Sequence, residues 1–405
     1  MVIAGGGLAG RTLALALAKL APKGFRVALV DAAPGPAAES GTGDARALAL
    51  SAATRNLLSA LDLWPELAPS AQAIEAIEIT DSPLNAALRP YFLGFDAELR
   101  SDGARAFMVE HNDLVRVLAA AVAQEPAIET SAPETVADFK TDTFGVEARL
   151  GSSKVIEARL LVAADGKRSA IRERAGIKCV GWSYPQRGIV ATVAHARPHG
   201  GKAVQHFLPS GPFAILPLKG NRSSIVWTEE KARAEAIMAA DEAGFLDGLT
   251  KRFGLRLGEI ALAGPRQSFP LDMQITRAFV ADRLALVGDA AHVVHPLAGQ
   301  GLNIGMRDVA ALAETIVDAT RLGLDIGVVT QLERYERWRR FDSAFSAAVM
   351  DGLNRLFSND SVPLRTLRDL GLGLVDRAPG VKRFLVREAA GRTGTVPCLL
   401  TGQRP

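Results

Sequence analysis

The chain opens on Met1-Val2-Ile3-Ala4, an apolar run without polar alternation, as expected of a strand buried on both faces of a parallel sheet. A glycine cluster follows, and an Ala/Leu-rich stretch then predicts a helix over about residues 8 to 20. Phe25 to Val30 reads as the next strand. Strand, helix and strand in roughly thirty residues form a βαβ unit, whose crossover is right-handed and whose ligand crevice lies at the strand ends. Two more apolar runs, Leu160 to Ala164 and Arg283 to Val287, each close on a Gly/Asp turn. Distant segments are therefore expected to join one sheet.

A different period governs the middle of the chain. Ile74 to Thr80, Val204 to Pro217 and Ser223 to Thr228 alternate, which predicts strands with one solvated or ligand-facing side in a second, mixed-sheet domain. From Leu332 to about Leu356 the pattern is helical, and a tail with Pro363, Pro379 and several glycines follows. The expected fold is α/β: a discontinuous Rossmann-like domain over 1–72, 98–178 and 270–330, an inserted mixed β-sheet domain over 73–97 and 179–269, and a helical C-terminal region over 331–405. No internal repeat or low-complexity stretch interrupts this plan.

With 405 residues, 48% hydrophobic and 22% charged, the chain can bury a large core. Its 47 basic and 44 acidic residues give a net charge of only +3, so no long-range field argues for nucleic acid. Cys179 and Cys398 fit neither a disulfide framework nor a zinc spacing, which suits a reducing cytoplasm. No run approaches a membrane span in length, and the start lacks a signal-peptide pattern. From Pro363 to Pro405 eight basic and three acidic residues give +5, interleaved with leucines, Val375, Phe384 and Leu385. That segment suits a peripheral membrane or partner contact, and equally a solvated face on packed helices.

Chemistry enters at Gly5-Gly6-Gly7-Leu8-Ala9-Gly10, a GxGxxG at a strand exit. Gly5 permits the tight turn, Gly7 lets the backbone approach a pyrophosphate, and Gly10 lets helix and strand pack closely. The helix N-terminus then faces the phosphates. Asp31, at the end of the second strand, is placed to hold a ribose hydroxyl. This motif serves NAD and FAD alike. A second site, Val287-Gly288-Asp289-Ala290-Ala291-His292, follows a strand and precedes a helix expected over Asn303 to Val317. Two distant grips of this kind suit one long cofactor, and FAD is such a cofactor.

Together, Gly5 to Gly10, Asp165-Gly166 and Gly288-Asp289 resemble, in order and spacing, the three fingerprints of the class A flavoprotein monooxygenases of the p-hydroxybenzoate hydroxylase fold. The run from His295 through Asp308, His-Pro-Leu-Ala-Gly-Gln-Gly-Leu-Asn-Ile-Gly-Met-Arg-Asp, resembles the signature of the ubiquinone-biosynthesis hydroxylases, the UbiH group. Asp44 to Ser51, Gly211 to Leu218 and Phe357 to Asp360 are similar to further segments of that group, so the likeness covers nearly the whole chain.

The resemblance makes the first domain FAD-binding and the inserted sheet substrate-binding. It implies that Gly5, Gly7, Leu8, Ala9 and Gly10 cradle the pyrophosphate, that Asp31 holds the ribose, and that Arg46 lies along the flavin side. Gly288 and Asp289 take the ribityl end. Pro296 and Gly299 to Asn303, including Gln300, Gly301 and Leu302, lie against the isoalloxazine, where helix-start N–H groups stabilise negative charge on the reduced ring. Asp165-Gly166, with Ser169 and Arg172, either serves both FAD and NAD(P)H or is a strand-exit turn. Where the family often has Arg or another polar residue after Val109-Glu110, this chain has His111 and Asn112, which leaves a side-chain grip from that segment in question. His292 and His295 form an HxxH without an evident third ligand, so no metal is expected.

The implied reaction uses NAD(P)H or a ferredoxin-type donor, O2 and a flavin hydroperoxide to hydroxylate a hydrophobic, prenylated phenol in ubiquinone biosynthesis. Catalytic candidates are Pro296 and, as a hypothetical phenol base, His206 or Tyr184, with Phe207, Phe213, Leu216, Pro217 and His295 as pocket residues. A cytoplasmic enzyme peripheral on the inner membrane, or a member of a biosynthetic complex, is the expected setting. Rival readings are a hydroxylase of another small aromatic compound and a flavin-binding subunit without turnover. The Trp-x-Trp-x-Ile-Pro run of a flavin halogenase is absent.

Overall fold

A computed structural model of the chain describes residues 1–34, 44–80, 93–94, 105–294, 299–357 and 396–405. The opening strand, Val2–Ala4, lies between Val27–Val30 and Leu161–Ala163, parallel to both. Ile128–Ser131 extends this six-stranded sheet on one side and Leu284–Leu286 on the other, both in parallel, and Val280–Ala281 closes an edge antiparallel. The chain thus runs outward in both directions from Val2–Ala4. At such a switch point the crevice beyond the strand ends is where open α/β sheets bind ligands.

The helix Leu8–Leu20 leaves that crevice. It is buried nearly all round because it packs against the helices His111–Ala123 and Gln300–Arg321 as well as the sheet. This explains an Ala/Leu run with no polar stripe.

A nine-stranded, mostly antiparallel sheet forms the second layer. Its centre pairs Lys202–Leu208, Gly211–Leu218, Arg222–Glu230, Cys179–His195 and Gln267–Thr276 in that order, with Ala76–Thr80 parallel to Lys202–Leu208. One face carries Ile189, Ala191, Phe213, Ile225 and Trp227 and is covered by the helices Lys231–Ala239 and Glu242–Phe253. Burying each such large side chain contributes roughly 1.5–3 kcal/mol. Arg252 on the second helix reaches the buried Glu229 at 2.8 Å and lies 4.2 Å from the Trp227 ring, fixing helix to sheet.

The strand Cys179–His195 is longer than any read from the sequence, because Gly181, Pro185 and Gly188 break its apolar rhythm. The register against Gln267–Thr276 shifts between Ser183 and Arg187, an irregularity of the kind that accommodates a proline such as Pro185 in a strand. The helix expected from Asn303 begins at Gln300 and runs to Arg321, and the C-terminal helix spans Val329–Phe357. Most of the basic tail lies outside the described residues. Its end returns as Cys398–Thr401, where the Cys398 N–H donates to Glu314 at 2.7 Å and Asn56 donates to the Leu400 carbonyl at 3.1 Å. Among the described residues no helix is long and apolar enough to cross a membrane.

Candidate active site

A cavity of about 600 Å³ lies between the two layers, a size typical of small-molecule sites. One wall is built from turns: Gly7, Leu8 and Ala9, then Gly166, then Gly288 and Asp289, then Gly299, Gly301 and Leu302. The other wall is the open face of the large sheet.

The glycine loop shows why its residues are small. A Cβ on Gly10 would stand 1.9 Å from the Gly5 carbonyl oxygen, and one on Gly5 would stand 2.1 Å from that of Ala164. At Gly7 a Cβ meets nothing within 4 Å, so its bare backbone faces the cavity. No side chain caps the helix that starts after Gly7, leaving its first N–H groups for an anion. The Asp31 carboxylate crosses behind the loop, where a Cβ on Gly6 would meet it at 2.1 Å, and it pairs with Arg11 at 3.3 Å. Gly5, Gly10 and Asp31 shape the loop from behind without lining the cavity.

The Gly288-Asp289 turn is held by a buried network that the sequence reading did not include. Asp308, fully buried on Gln300–Arg321, accepts from the Gly288 N–H at 2.9 Å, His292 Nε2 at 2.6 Å and Arg339 Nε at 2.7 Å. Burial alone would raise its pKa, but the nearby His292 and Arg339 hold it below the ordinary carboxylate value. His292 is thereby committed to Asp308. Arg172 adds a tie, donating to the Ala290 carbonyl at 3.0 Å from a buried position, and Ser169 caps its short helix. Arg172 therefore braces the turn. Asp289 lines the cavity with its side chain exposed to it, and desolvation by the enclosing walls raises its carboxyl pKa. One Asp165 oxygen is buried with no hydrogen-bond partner among the described residues, and Asp165 does not line the cavity.

Gly299 adopts a left-handed conformation, φ 63°, at the start of Gln300–Arg321, and a Cβ there would stand 3.1 Å from that of Ala49. The helix start consequently opens onto the cavity at Gly301 and Leu302. Gln300 and Asn303 do not line it. The Asn303 amide accepts from the Ser51 N–H at 2.9 Å and Thr54 Oγ1 at 2.7 Å and donates to the Ala49 carbonyl at 2.8 Å. Its side chain is consumed in holding Ala47–Leu50 against the helix, which leaves only its backbone to serve the expected cofactor role. Pro296 and His295 lie outside the described residues.

Alternation settles the sheet wall. Gly188, Val190, Gln205, Ala214, Leu216, Val226 and Thr228 line the cavity, and the ladder pairs Gln205 with Ala214, Ala214 with Val226, and Thr228 with Gly188. His206 pairs with Phe213 and stacks on it with ring centroids 6.2 Å apart, on the opposite face. The expected phenol base therefore does not reach the cavity, because successive side chains of a strand point to opposite sides. Phe213 shares that far face, and neither Phe207 nor Pro217 lines the cavity. Leu216 does. Tyr184 donates to Asp351 at 2.6 Å and also stands off the lining.

Arg46, expected along the cofactor, shares the cavity lining with His111, which the sequence left open, and with Lys167 and Asp272, which it did not mark. Arg46 pairs with Asp44 at 2.6 Å, His111 approaches the same carboxylate at 3.3 Å, and both Arg46 and His111 line the cavity. Asp44 stays below its ordinary pKa, burial being outweighed by Arg46. Lys167 and Asp272 form an ion pair on the lining between the Asp165-Gly166 turn and the sheet wall, with Ser183 donating to Asp272 at 2.5 Å. Adjacency to Asp165-Gly166 was the available signal for Lys167. Nothing in the local sequence marks Asp272.

Residues 1–341 match the family model described as FAD binding domain. The chain belongs to the FAD binding domain family. Among its relatives in that family, the ubiquinone hydroxylase UbiL of Rhodospirillum rubrum is 43% identical over 96% of this chain and 89% of the relative. The 3-demethoxyubiquinol 3-hydroxylase of Escherichia coli is 34% identical over 96% and 98%. The fold is that of p-nitrophenol 4-monooxygenase PnpA from Pseudomonas putida, with a TM-score of 0.78 at 20% identity over 97% of this chain and 98% of that one. The FAD reading suits the geometry: the uncrowded Gly7, the open helix start and the Gly299 to Leu302 turn form one continuous cradle of exposed backbone.

Proposed function

We propose that this flavoprotein hydroxylates the aromatic ring of a polyprenylated phenol in ubiquinone biosynthesis, with FAD, a reductant of the NAD(P)H type and O2. The observation that carries the reading is the two-sided cavity, backbone-rich toward the cofactor and apolar toward the sheet. On this reading segments 1–72, 98–178 and 270–330 hold FAD, 73–97 and 179–269 hold substrate, and 331–405 is a helical appendage.

FAD, when bound, supplies the redox and oxygen chemistry, which explains why the site needs no nucleophile or triad. The first N–H groups after Gly7 receive the pyrophosphate, and Asp31 fixes the ribose side of the loop. Asp289 accepts from the ribityl chain, and Arg46 lies alongside. Gly299 to Leu302 present helix-start N–H groups to the ring system, where they stabilise negative charge. Asn303 positions that turn through Ala49 and Ser51.

Val190, Ala214, Leu216 and Val226 exclude water and accept a flat, apolar ring. Gln205 and Thr228 are the neutral hydrogen-bonding side chains on this wall and orient the ring oxygens. The phenol is thus oriented without a basic residue on the sheet. The prenyl tail enters from a cytoplasmic membrane surface, where the basic, leucine-rich stretch after Pro363 makes a peripheral contact.

The test is to incubate the purified FAD-loaded chain with a short-chain prenylphenol and reductant and weigh the product. A gain of one oxygen is expected; flavin oxidation without product overturns the reading. Sedimentation with anionic vesicles, lost when the tail arginines are neutralised, tests the membrane contact separately.

A further inference from the structure

The large sheet ends, beside the cavity, in an open edge at Gln267–Thr276. That strand takes the short strand His292–Val293 only at Gln274 and Ile275, so its first residues have no outer neighbour among the described strands. Around this edge lies a second recess of about 510 Å³, formed by Arg187, Arg266, Ser268 and Phe269 with Glu235 and Met238 of the helix Lys231–Ala239. Phe269 belongs to both spaces: it lines the recess and the main cavity, and Arg46 of the cavity lies 5.4 Å from its ring centre.

The recess is electropositive by construction. Arg187 donates to the hydroxyl and the carbonyl of Ser268 at 2.9 and 3.1 Å, and Arg266 donates to the Ala240 carbonyl at 3.1 Å while lying 4.8 Å from the Phe245 ring. Both guanidiniums are thus fixed by neutral groups. Neither forms a salt bridge among the described residues, whereas Arg252, Arg283 and Arg339 each pair with a carboxylate. Two half-buried, preorganised cations, with one exposed acid, Glu235, on the same lining, make a site for an anion. Arg187 pairs with Pro270, so the two arginines stand about four strand residues apart, roughly 13 Å between their Cα atoms. A recess of about 510 Å³ is far larger than a single inorganic ion and admits a molecule with several phosphates, and Met238 and Phe269 offer apolar surface for its flat rings.

We propose that this recess receives the phosphates of a nicotinamide dinucleotide, with displacement of Phe269 letting the nicotinamide ring reach the main cavity. The proposal rests on the flavin hydroxylase reading and adds where the reductant docks. A hydride passes from the nicotinamide to the flavin, the nucleotide leaves oxidised, and Arg187 and Arg266 touch only its phosphates. The loop leading to Arg46 is coupled to the same edge, since the Ala45 N–H donates to Gln267 Oε1 at 3.0 Å.

Calorimetric titration of the FAD-loaded protein with NADP⁺ and NAD⁺, which bind without turnover, reads the site directly. Arg187→Ala and Arg266→Ala should each weaken binding about 5- to 10-fold, and the double variant more, with a shallower salt dependence. The visible flavin spectrum reports that the fold is intact. If the double variant loses flavin, Glu235→Gln on the exposed helix face serves instead, and it should tighten binding about 2- to 5-fold. Failure of the wild type to bind either nucleotide at millimolar concentration, or variants that bind like the wild type, would overturn the proposal. Reduction only by an acidic iron–sulfur protein would do the same. Prenylphenol oxygenation by chemically reduced enzyme is scored independently, so a wrong substrate and a wrong nucleotide site give different results.

Discussion

Gly7 and Gly10 stand three residues apart and answer to opposite demands, which makes them a sensitive pair. Gly10 is crowded by the Gly5 carbonyl, so Gly10→Ala should destabilise the chain itself by about 1–3 kcal/mol, read as a lower melting temperature without FAD. Gly7 faces open space, so Gly7→Ala should leave that melting temperature unchanged while weakening FAD at least tenfold. Equal effects on both quantities would remove the pyrophosphate role. Asp289 makes a similar split. Its carboxyl is exposed to the cavity rather than packed in the core, so Asp289→Asn should leave the FAD-free melting temperature nearly unchanged. The same change should lose about 1–2 kcal/mol of FAD binding, because an amide replaces a charge-assisted acceptor. On the sheet, His206→Ala should keep turnover, since the side chain points away from the cavity, whereas Gln205→Leu should raise KM for the phenol. Loss of turnover in His206→Ala with the fold intact would restore the base that alternation excludes.

Elements differ in how plainly their sequences announce them. The parallel strands Val2–Ala4, Leu161–Ala163 and Leu284–Leu286 are continuous apolar runs, because both of their faces are covered, and each is legible on its own. The helix Gln300–Arg321 is legible only from Asn303 onward, since its first turn consists of Gln, Gly and Leu behind a left-handed Gly299, with no amphipathic repeat to mark it. Cys179–His195 was hidden by Gly181, Pro185 and Gly188. What unites the helical elements is Asp308, which ties Gln300–Arg321 to the Gly288 turn and, through Arg339, to Val329–Phe357. Asp308→Ala leaves Arg339 with Asp342 as its remaining carboxylate and takes the acceptor from the buried His292 and the Gly288 N–H, so it should cost about 1–3 kcal/mol. The pH dependence has a definite sign. The folded pKa of Asp308 is depressed, so its contribution is complete above the ordinary carboxylate range near 3.9 and is lost as pH falls through the lower, folded value. Thermal melts between pH 5 and 2.5 should therefore fall more steeply for the wild type than for Asp308→Asn; parallel curves would contradict the network.

At the scale of the molecule, the site is assembled from segments that the sequence keeps far apart: the glycine loop, the Arg46 strand, the Gly288 turn, the start of Gln300–Arg321 and one face of the large sheet. The cofactor side was largely readable, because close backbone approach requires glycine and glycine spacing is visible in a sequence. The substrate side was not. Which of two adjacent residues, Gln205 or His206, faces inward depends on sheet register, and the pairing of Lys167 with Asp272 depends on how the two layers meet. The most direct test of the whole account is a single turnover of the pre-reduced FAD-loaded protein mixed with a short-chain prenylphenol under ¹⁸O2, followed by product mass. The account predicts one ¹⁸O atom on the aromatic ring and one equivalent of product per flavin. Reoxidised flavin with unlabelled or unmodified phenol, while peroxide accounts for the electrons, would contradict it.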